Sequence, residues 1–239
     1  MKIALIGYGK MGKAIEQIAV QQNHEILYKI DISNQELLEK NSLSKADVAI
    51  EFTTPLTAAS NILKCFNAGI PVVCGTTGWL DQLSMITDAC QKQGGALLYT
   101  SNFSIGVNIF FEINKKLATL LAHQPQYRVA IEEIHHTQKK DSPSGTAISL
   151  AEQILTINPA LTHWVNQPSE NSEVLGIESK RIDPFAGMHK VTYSSEVDDI
   201  EIIHTAHSRM GFASGAVLAA TWIIGKQGIF GMKEVLGIG

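Results

Sequence analysis

Residues 2–12 read KIALIGYGKMG, a short apolar stretch that runs into a glycine-rich turn. The apolar part, Lys2–Ile6, is typical of a buried β-strand, and the turn completes the pattern G-x-G-x-x-G. A helical stretch, Lys13–Gln22, and a second strand, Glu25–Ile30, come next. A turn of this kind binds dinucleotides when it stands between a strand and a helix, as it does here. The N-terminus therefore predicts a dinucleotide-binding unit.

Each glycine of the turn has a physical role in that prediction. Gly7 permits the tight turn, Gly9 lets the backbone approach a pyrophosphate at the helix N-terminus, and Gly12 allows close packing of helix on strand. Asp31 ends the second strand, 19 residues after Gly12, about where an acid holds the adenosine ribose. We expect NADH or NADPH to be held in this region by Gly7, Tyr8, Gly9, Lys10, Met11, Gly12 and Asp31.

Composition describes a globular chain with an ample core. Its 239 residues are 45% hydrophobic and 18% charged. The net charge of −4 does not indicate the basic surface that nucleic-acid binding requires. No apolar run reaches the ~18 residues of a membrane span, and the run after Met1 is too short for a signal-peptide core. The cysteines Cys65, Cys74 and Cys90 are expected to be reduced thiols of a cytoplasmic protein.

Strand and helix signals alternate regularly through the N-terminal part of the chain. Further strands are expected at 47–52, 70–74 and 96–100, with helices at 55–68 and 80–93. This alternation predicts a Rossmann-like, doubly wound parallel sheet of the α/β class. Ligands of such sheets bind beyond the carboxyl ends of the strands. One crevice is therefore expected to be lined by the loops 7–12, 52–55, 75–78 and 100–103.

The pattern changes after residue 103. A long helix at 106–122 precedes an alternating strand at 126–134, and three more strands are expected at 173–182, 188–195 and 199–206, the last two joined by a turn at Asp198-Asp199. The segment 161–172 is polar and is expected to be an exposed loop. These signals predict a central α+β domain with a mixed or antiparallel sheet. We expect residues 104–210 to bind substrate and to form the oligomer, and the dinucleotide domain to comprise 1–103 with 211–239, to which an apolar helix at 214–226 returns.

Residues 133–146, EIHHTQKKDSPSGT, place an acid, two histidines and two lysines before a helix predicted at 145–157. Ser144 stands at the expected N-cap, so the amides of Gly145 and Thr146 would point out of the helix start, where anions bind. The lysines add positive charge, and histidines carry protons near neutral pH. The block predicts a site for a small carboxylate-bearing molecule with a proton donor beside it.

Each of these features alone has an ordinary explanation, such as a packed histidine, a solvated lysine turn or the mere start of a helix. Only their combination in one loop favours a site. A metal centre is a further alternative. Adjacent histidines on a strand point to opposite faces, and no other Cys or His has ligand-like spacing to the pair. No metal is therefore expected.

The stretch E-x-H-H-x-x-K-x-D-x-P-S-G-T-A, here Glu133 to Ala147, resembles the signature of the dihydrodipicolinate reductase family of the diaminopimelate route to lysine. The GYGKMG turn, the GTTG loop at 75–78, the run SNFSIGVN at 101–108 and the SRM stretch at 208–210 resemble the same family in order and spacing. The resemblance covers nearly the whole chain. It implies an NAD(P)H-dependent oxidoreductase of amino-acid biosynthesis that forms a homotetramer through the sheet of its substrate domain.

The resemblance also implies roles for particular residues. The substrate would be a cyclic imine with two carboxylates, His135 the general acid, and Lys139 the cation that neutralises one carboxylate and shares in proton transfer. His136, Gly145 and Thr146 would bind the remaining polar groups of the substrate. The nicotinamide half of the cofactor would be held by Gly75, Thr76, Thr77, Thr100, Ser101, Asn102 and Phe103.

Two departures from the family pattern bear on this interpretation. A basic residue often follows the ribose-binding acid, whereas Ile32 stands here, which favours NADH over NADPH. The glycine-rich pattern expected before His189 is replaced by 183–186, DPFA, which puts the tetramer surface and the neighbouring loops in question but does not touch the proposed catalytic residues. Two other functions stay open: another NAD(P)-dependent amino-acid or imine dehydrogenase on this scaffold, and a non-catalytic NAD-binding sensor.

Overall fold

The computed structural model describes residues 1–208 and 210–238. The chain forms two compact units, the first made of Met1–Ile105 with Met210–Gly239 and the second of Gly106–Arg209. Arg209 of the SRM stretch lies outside the described residues. Among the described residues, no helix is long and apolar enough to cross a membrane.

Eleven strands are described. They are β1 (Lys2–Ile6), β2 (Glu25–Ile30), β3 (Val48–Glu51), β4 (Val72–Cys74), β5 (Ala96–Tyr99), β6 (Arg128–His135), β7 (His163–Val165), β8 (Val174–Arg181), β9 (Gly187–Ser194), β10 (Asp199–Ala206) and β11 (Gly228–Phe230).

Eight α-helices are described, with two 3₁₀ turns at Ile32–Leu38 and Leu80–Gln82. The helices are α1 (Lys10–Gln21), α2 (Lys40–Leu43), α3 (Pro55–Ala68), α4 (Leu83–Gln93), α5 (Ile105–Leu121), α6 (Gly145–Ile157), α7 (Met210–Ile223) and α8 (Met232–Leu236).

The first unit contains a parallel sheet in the order β11-β5-β4-β3-β1-β2. Alternate residues of β1 enter different cores: Ile3 and Leu5 join one apolar cluster, and Ala4 and Ile6 join the other. Both faces of the sheet are therefore covered, as parallel sheets require. The strand order reverses next to β1, which creates a switch point between β1 and β3. The predicted fold class is confirmed.

The second unit contains a mixed sheet in the order β10-β9-β6-β8-β7. The pairs of β9 are antiparallel and those of β8 are parallel. Buried and partly exposed residues alternate along β9, so one face of the strand enters the core. That core contains apolar side chains of α5 and α6, including Phe110, Leu150 and Ile154.

Most expected elements are present, and the differences have local causes. Helix α1 begins at Lys10 rather than Lys13, because Gly9 is its N-cap and the glycine turn itself enters the helix. The loop expected at 161–172 contains β7, which pairs with β8 over three residues. Strand β11 and helix α8 were not foreseen, because segments this short carry no periodic signal. The turn before β10 comprises 195–198 rather than Asp198-Asp199, with Ser195 Oγ accepting hydrogen bonds from two backbone amides.

Candidate active site

The expected cofactor loops follow the carboxyl ends of adjacent parallel strands. In the order of the sheet, the loop 100–103 follows β5, 75–78 follows β4, 52–55 follows β3, 7–12 follows β1, and Asp31 follows β2. These loops therefore succeed one another along a single edge of the first unit. A dinucleotide laid along that edge would meet Asp31 at one end and residues 100–103 at the other.

The glycine turn has the geometry that a bound pyrophosphate requires. Gly7 has φ 94°, and a Cβ there would lie 2.0 Å from the carbonyl oxygen of Phe52. A Cβ on Gly12 would lie 2.4 Å from the carbonyl oxygen of Gly7. The N-terminus of α1 carries no side-chain cap and no acid in its first turn. Its backbone N–H groups thus suit an anion, and the residues present fit a dinucleotide.

A surface cavity of about 300 Å³ opens beside this turn. It joins the loops after β1, β3 and β4 at the switch point. Seven of the expected cofactor residues line it, together with three from the loop after β3. The lining residues are Gly9, Lys10, Met11, Gly12, Phe52, Thr53, Pro55, Gly75, Thr76 and Thr77.

Asp31 and the loop 100–103 do not line this cavity. Thr100 and Asn102 bond to each other, and Asn102 Oδ1 accepts the amide of Ser104, whereas Ser101 is exposed. Phe103 is a core residue whose ring centroid lies 5.6 Å from that of Phe52. The side chain of Phe103 therefore supports the cavity wall from behind.

The predicted ribose acid stands at the exposed end of β2. Asp31 Oδ1 accepts the amide of Ile32 at 2.8 Å, and the Ile32 side chain is 87% exposed. Two basic residues, Lys29 on β2 and Lys10 in the glycine turn, lie close in sequence to the elements that would hold the nucleotide. The Lys29 ammonium group lies 2.5 Å from the Glu16 carboxylate, so Lys29 is already paired with an acid. Lys10 lines the cavity.

A buried acid that the sequence reasoning missed lies beneath the cavity. Glu51 ends β3 and has no solvent exposure. Its carboxylate accepts hydrogen bonds from Thr53 Oγ1 and from Asn61 Nδ2 (3.3 Å), and Cys74 Sγ lies 3.1 Å from it. The Thr53 amide in turn donates to Thr76 Oγ1 at 2.8 Å. Glu51 thereby joins the loops that follow β3 and β4.

In the second unit, Glu133 is the centre of a buried polar cluster. Both of its carboxylate oxygens accept the backbone amide of Ser144 at 3.1 Å, and Arg181 Nη2 donates at 3.2 Å. His135 Nδ1 and His189 Nε2 each lie 3.6 Å from Glu133 Oε2. Burial by itself would raise the pKa of Glu133, but hydrogen bonds from His189 and Ser144 outweigh it and hold that pKa well below its usual range.

His135, the expected general acid, is the last residue of β6 and is only 7% exposed. Burial lowers its pKa to about 4, although the Glu133 carboxylate acts in the opposite direction. The expectation of a pKa near neutrality is therefore wrong for the protein without substrate. His135 is neutral there at pH 7, because desolvation disfavours the imidazolium form.

The loop after His135 is held at two points. Arg181 Nη2 donates to the carbonyl of Asp141 at 2.6 Å, and the Asp183 carboxylate accepts the amide and hydroxyl of Thr137 at 3.2 and 2.7 Å. Asp183 belongs to the stretch that departs from the family pattern. That stretch therefore contacts the loop that follows His135, which is one of the neighbouring loops that the departure puts in question.

The two lysines of the loop after His135 differ in exposure. Lys139 is half-buried and its ammonium group lies 2.8 Å from Asp141, whereas Lys140 is exposed. His136 is half-buried close to the Asp183 carboxylate, whose pKa is lowered chiefly by hydrogen bonds from Thr137. Of the two lysines, Lys139 thus has the more enclosed charge.

The N-terminus of α6 is formed as the sequence predicts. Ser144 is the N-cap, and its Oγ accepts the amide of Ala147 at 3.2 Å. This bond satisfies the third amide of the helix and leaves those of Gly145 and Thr146 at the helix end. There is no acid in the first turn. A carboxylate is the ligand that such a helix end favours.

Glu133, His135 and His189 could also form a metal site, because one ligand atom from each lies within 4.8 Å of the others. His189 comes from β9, far along the chain, so sequence spacing does not reveal it as a third ligand. The geometry nevertheless opposes a cation. The Glu133 oxygens already accept Ser144 N–H and lie next to the positive Arg181 side chain, so a metal ion would have to displace these donors.

Family models match both parts of the chain. "Dihydrodipicolinate reductase, N-terminus" matches residues 1–103 and "Dihydrodipicolinate reductase, C-terminus" matches 106–236. The 4-hydroxy-tetrahydrodipicolinate reductase of Christiangramia forsetii is 50% identical over 238 residues, 99% of this chain and 98% of that protein. The protein of that name from Methanosarcina barkeri is 37% identical over 212 residues, 87% of this chain and 79% of that protein.

A solved structure has the same fold. It is dipicolinate-bound dihydrodipicolinate reductase from Paenisporosarcina sp. TG-14, with a TM-score of 0.77 and 24% identity over 97% of both chains.

The lowered pKa of His135 predicts how stability depends on pH. Because the ordinary value of 6.5 falls to about 4 on folding, the unfolded chain binds the proton more tightly between these values. His135 therefore contributes stability above pH 6.5 that is lost as the pH falls towards 4. The melting temperature should decrease from pH 7 to pH 5, and less steeply in His135→Gln. A remaining slope is expected from His24 and His204, whose pKa values burial also lowers. Equal slopes in both proteins would contradict the prediction.

Proposed function

The chain belongs to the dihydrodipicolinate reductase family, and from that premise we propose how its residues share the work of the reaction. The protein is an NAD(P)H-dependent oxidoreductase of the diaminopimelate route to lysine. It reduces dihydrodipicolinate, formed from 4-hydroxy-tetrahydrodipicolinate, to tetrahydrodipicolinate. The family membership displaces the two rival functions that the sequence had left open.

The second unit supplies the substrate site. In this unit, the N-terminal end of α6 would bind one carboxylate of the substrate through the amides of Gly145 and Thr146, with His136 beside them. Lys139 would receive the other, exchanging its contact with Asp141 for one with the substrate. The observation that carries this assignment is the Glu133 cluster, in which one buried carboxylate contacts both the start of α6 and His135.

The first unit supplies the nucleotide site. The turn 7–12 would bind the pyrophosphate at the N-terminus of α1, and Asp31 the adenosine ribose. Thr76, Thr77 and the loop 100–103 would hold the nicotinamide half, with Gly75 giving the Phe52 ring room to pack. Bound there, the reduced nicotinamide supplies a hydride to ring C4 of the substrate.

His135 would deliver the proton to the ring carbon next to C4, so that hydride and proton together saturate the double bond. His135 must first acquire this proton, since burial lowers its pKa in the protein without substrate. The two negative charges of the substrate favour the imidazolium form. The pKa of His135 is therefore higher in the complex, where a proton donor is needed.

NADH is the proposed preferred nucleotide. A 2′-phosphate would stand against the Asp31 carboxylate, and Ile32 offers no positive charge. Lys29 is paired with Glu16, so that of Lys29 and Lys10 only Lys10, which lines the cavity, would offer its charge to a 2′-phosphate.

A homotetramer and a cytoplasmic location are proposed as well. Strand β10 stands at the edge of the second sheet, and its Ile203 is 56% exposed on the face opposite to Ile202, which packs against the core, so that a second copy would cover Ile203. The cysteines Cys65, Cys74 and Cys90 are buried free thiols, the state that a reducing compartment maintains. Cell fractionation would test the location.

Substitution of His135 tests its role as proton donor. His135→Gln should lower kcat by roughly 10²–10⁴-fold with a smaller change in KM, the usual size for loss of a general acid. His163→Gln, at an exposed histidine of the same unit, is the matched control. The assay couples dihydrodipicolinate synthase, pyruvate and aspartate semialdehyde to the oxidation of NADH. Wild-type kcat in His135→Gln would refute the assignment.

Substitution of Lys139 should damage both kcat and KM, because it removes a positive charge from a carboxylate site. Lys140→Ala changes a neighbouring lysine that is exposed, and should have the smaller effect. Steady-state kinetics in the coupled assay measures both. An equal loss in the two variants would mean that Lys139 acts only through the general charge of the loop.

The nucleotide preference can be tested at Ile32. We expect kcat/KM for NADH to equal or exceed that for NADPH, and Ile32→Arg to shift the ratio towards NADPH by supplying a partner for the 2′-phosphate. Ile32→Gln is a long, uncharged control. A native preference for NADPH of about tenfold or more would show that Lys10 outweighs Asp31.

The oligomeric state can be measured by light scattering. The mass should be about four times the 26.0 kDa of one chain. Ile203→Lys places a charge on the exposed edge strand and should reduce the mass. Leu120→Lys, at a residue of α5 that is 61% exposed, should leave it unchanged. A monomeric active wild-type enzyme would exclude the tetramer.

A further inference from the structure

His189 lies in the Glu133 cluster although nothing in the active-site block of the sequence points to it. It stands directly opposite Glu133 in the antiparallel pair of β6 and β9 and is 5% exposed. Its Nε2 lies 3.0 Å from Ser144 Oγ, and its ring meets that of His135 edge to face, with centroids 5.0 Å apart. His189 thus touches both the cap of α6 and the expected general acid.

The surroundings of His189 favour a hydrogen atom on Nε2 over one on Nδ1. Nε2 faces two oxygen atoms, Ser144 Oγ at 3.0 Å and Glu133 Oε2 at 3.6 Å. A proton on Nε2 can therefore be donated, whereas a bare Nε2 would face the lone pairs of a carboxylate. Nδ1 is buried without a hydrogen-bond partner among the described residues, which an unprotonated nitrogen tolerates better than an N–H.

We propose that His189 is a positioning residue of the reduction, which fixes the N-terminus of α6 through Ser144 while its ring packs against His135. This inference rests on the proposed function. The first turn of α6 is held from two strands, at the backbone of Ser144 by Glu133 and at its hydroxyl by His189. Without the contact between His189 and the Ser144 hydroxyl, the Ser144 side chain can rotate, and the amides of Gly145 and Thr146 lose their fixed direction.

A proton relay through Glu133 is the main competing interpretation. Glu133 lies between His135 and His189 at 3.6 Å from each. Hydrogen bonds to its carboxylate hold the pKa of Glu133 well below the usual range, so Glu133 does not accept and pass on a proton near neutral pH. The role of His189 is therefore geometric, and its loss should disturb substrate binding at least as much as proton transfer.

The test compares two amides at position 189. In His189→Gln the amide nitrogen can reach the place of Nε2 and keep the bond to Ser144, whereas in His189→Asn the shorter side chain cannot. His189→Asn should lower kcat/KM for the dicarboxylate substrate by roughly 10–100-fold, mostly through KM, as expected for a small misplacement of a binding group. His189→Gln should recover most of this loss. KM for NADH, whose site lies in the first unit, should stay unchanged in both.

A double-mutant cycle with Ser144→Ala separates positioning from general destabilisation. If the contact between His189 and Ser144 carries the effect, Ser144→Ala should itself raise KM, and Ser144→Ala/His189→Asn should cost no more than the larger single change. His204→Asn is the matched control, because His204 lies opposite His189 on β10. The affinity for dipicolinate in the presence of NADH, measured by calorimetry, gives a readout independent of turnover.

Several outcomes would overturn the proposal: wild-type kinetics in His189→Asn, full additivity in the cycle, equal losses in the Gln and Asn variants, or a parallel rise in KM for NADH. If His189→Asn does not fold, Ser144→Ala decides, and an unchanged KM in that variant also overturns it. Failure of the proposed function is a different result, since the wild-type protein would then oxidise no NADH in the coupled assay.

Discussion

A carboxylate shut off from solvent, that of Glu133, determines the geometry of the second unit. An ionised group in such a place is costly unless donors surround it. Glu133 is surrounded by the Ser144 amide, Arg181 and two imidazoles. Because these donors come from β6, β8, β9 and the start of α6, one charge fixes four elements. The start of α6 and His135 are thereby held in a constant relation.

The first unit also contains a buried carboxylate that holds loops in place, near the expected dinucleotide site. Glu51 is also fully buried at a strand end, and it binds Thr53, whose amide meets Thr76. Glu51 itself does not line the cavity, but the loops that Glu51 joins do. In both units the residues expected to touch a ligand lie on loops or at the ends of strands and helices, while a buried acid on a strand limits how those segments can move. Rigid strands thus lend precision to flexible segments.

Burial holds His135 in place and at the same time lowers its pKa. The side chain is enclosed by Glu133, His189 and Gly187, and this enclosure disfavours the imidazolium form. Burial therefore opposes the role of proton donor that we propose for His135. The negative charge of the proposed substrate would favour the imidazolium form, so that His135 would be protonated chiefly when the site is occupied.

The sequence by itself determined the fold class and the block of charged and polar residues at 133–146. The turn after β1, the cap at Ser144 and helices such as Pro55–Ala68 follow from local patterns, because glycine, proline and capping residues act over a few positions. Only the tertiary structure decided which distant residues complete the sites. His189 meets Glu133 through strand register, and Glu51 meets Cys74, 23 positions along the chain, on the neighbouring strand. The hydrogen-bond partners of a buried charge come from the strands that surround it in the fold, and the spacing of residues along the sequence does not reveal which strands these are.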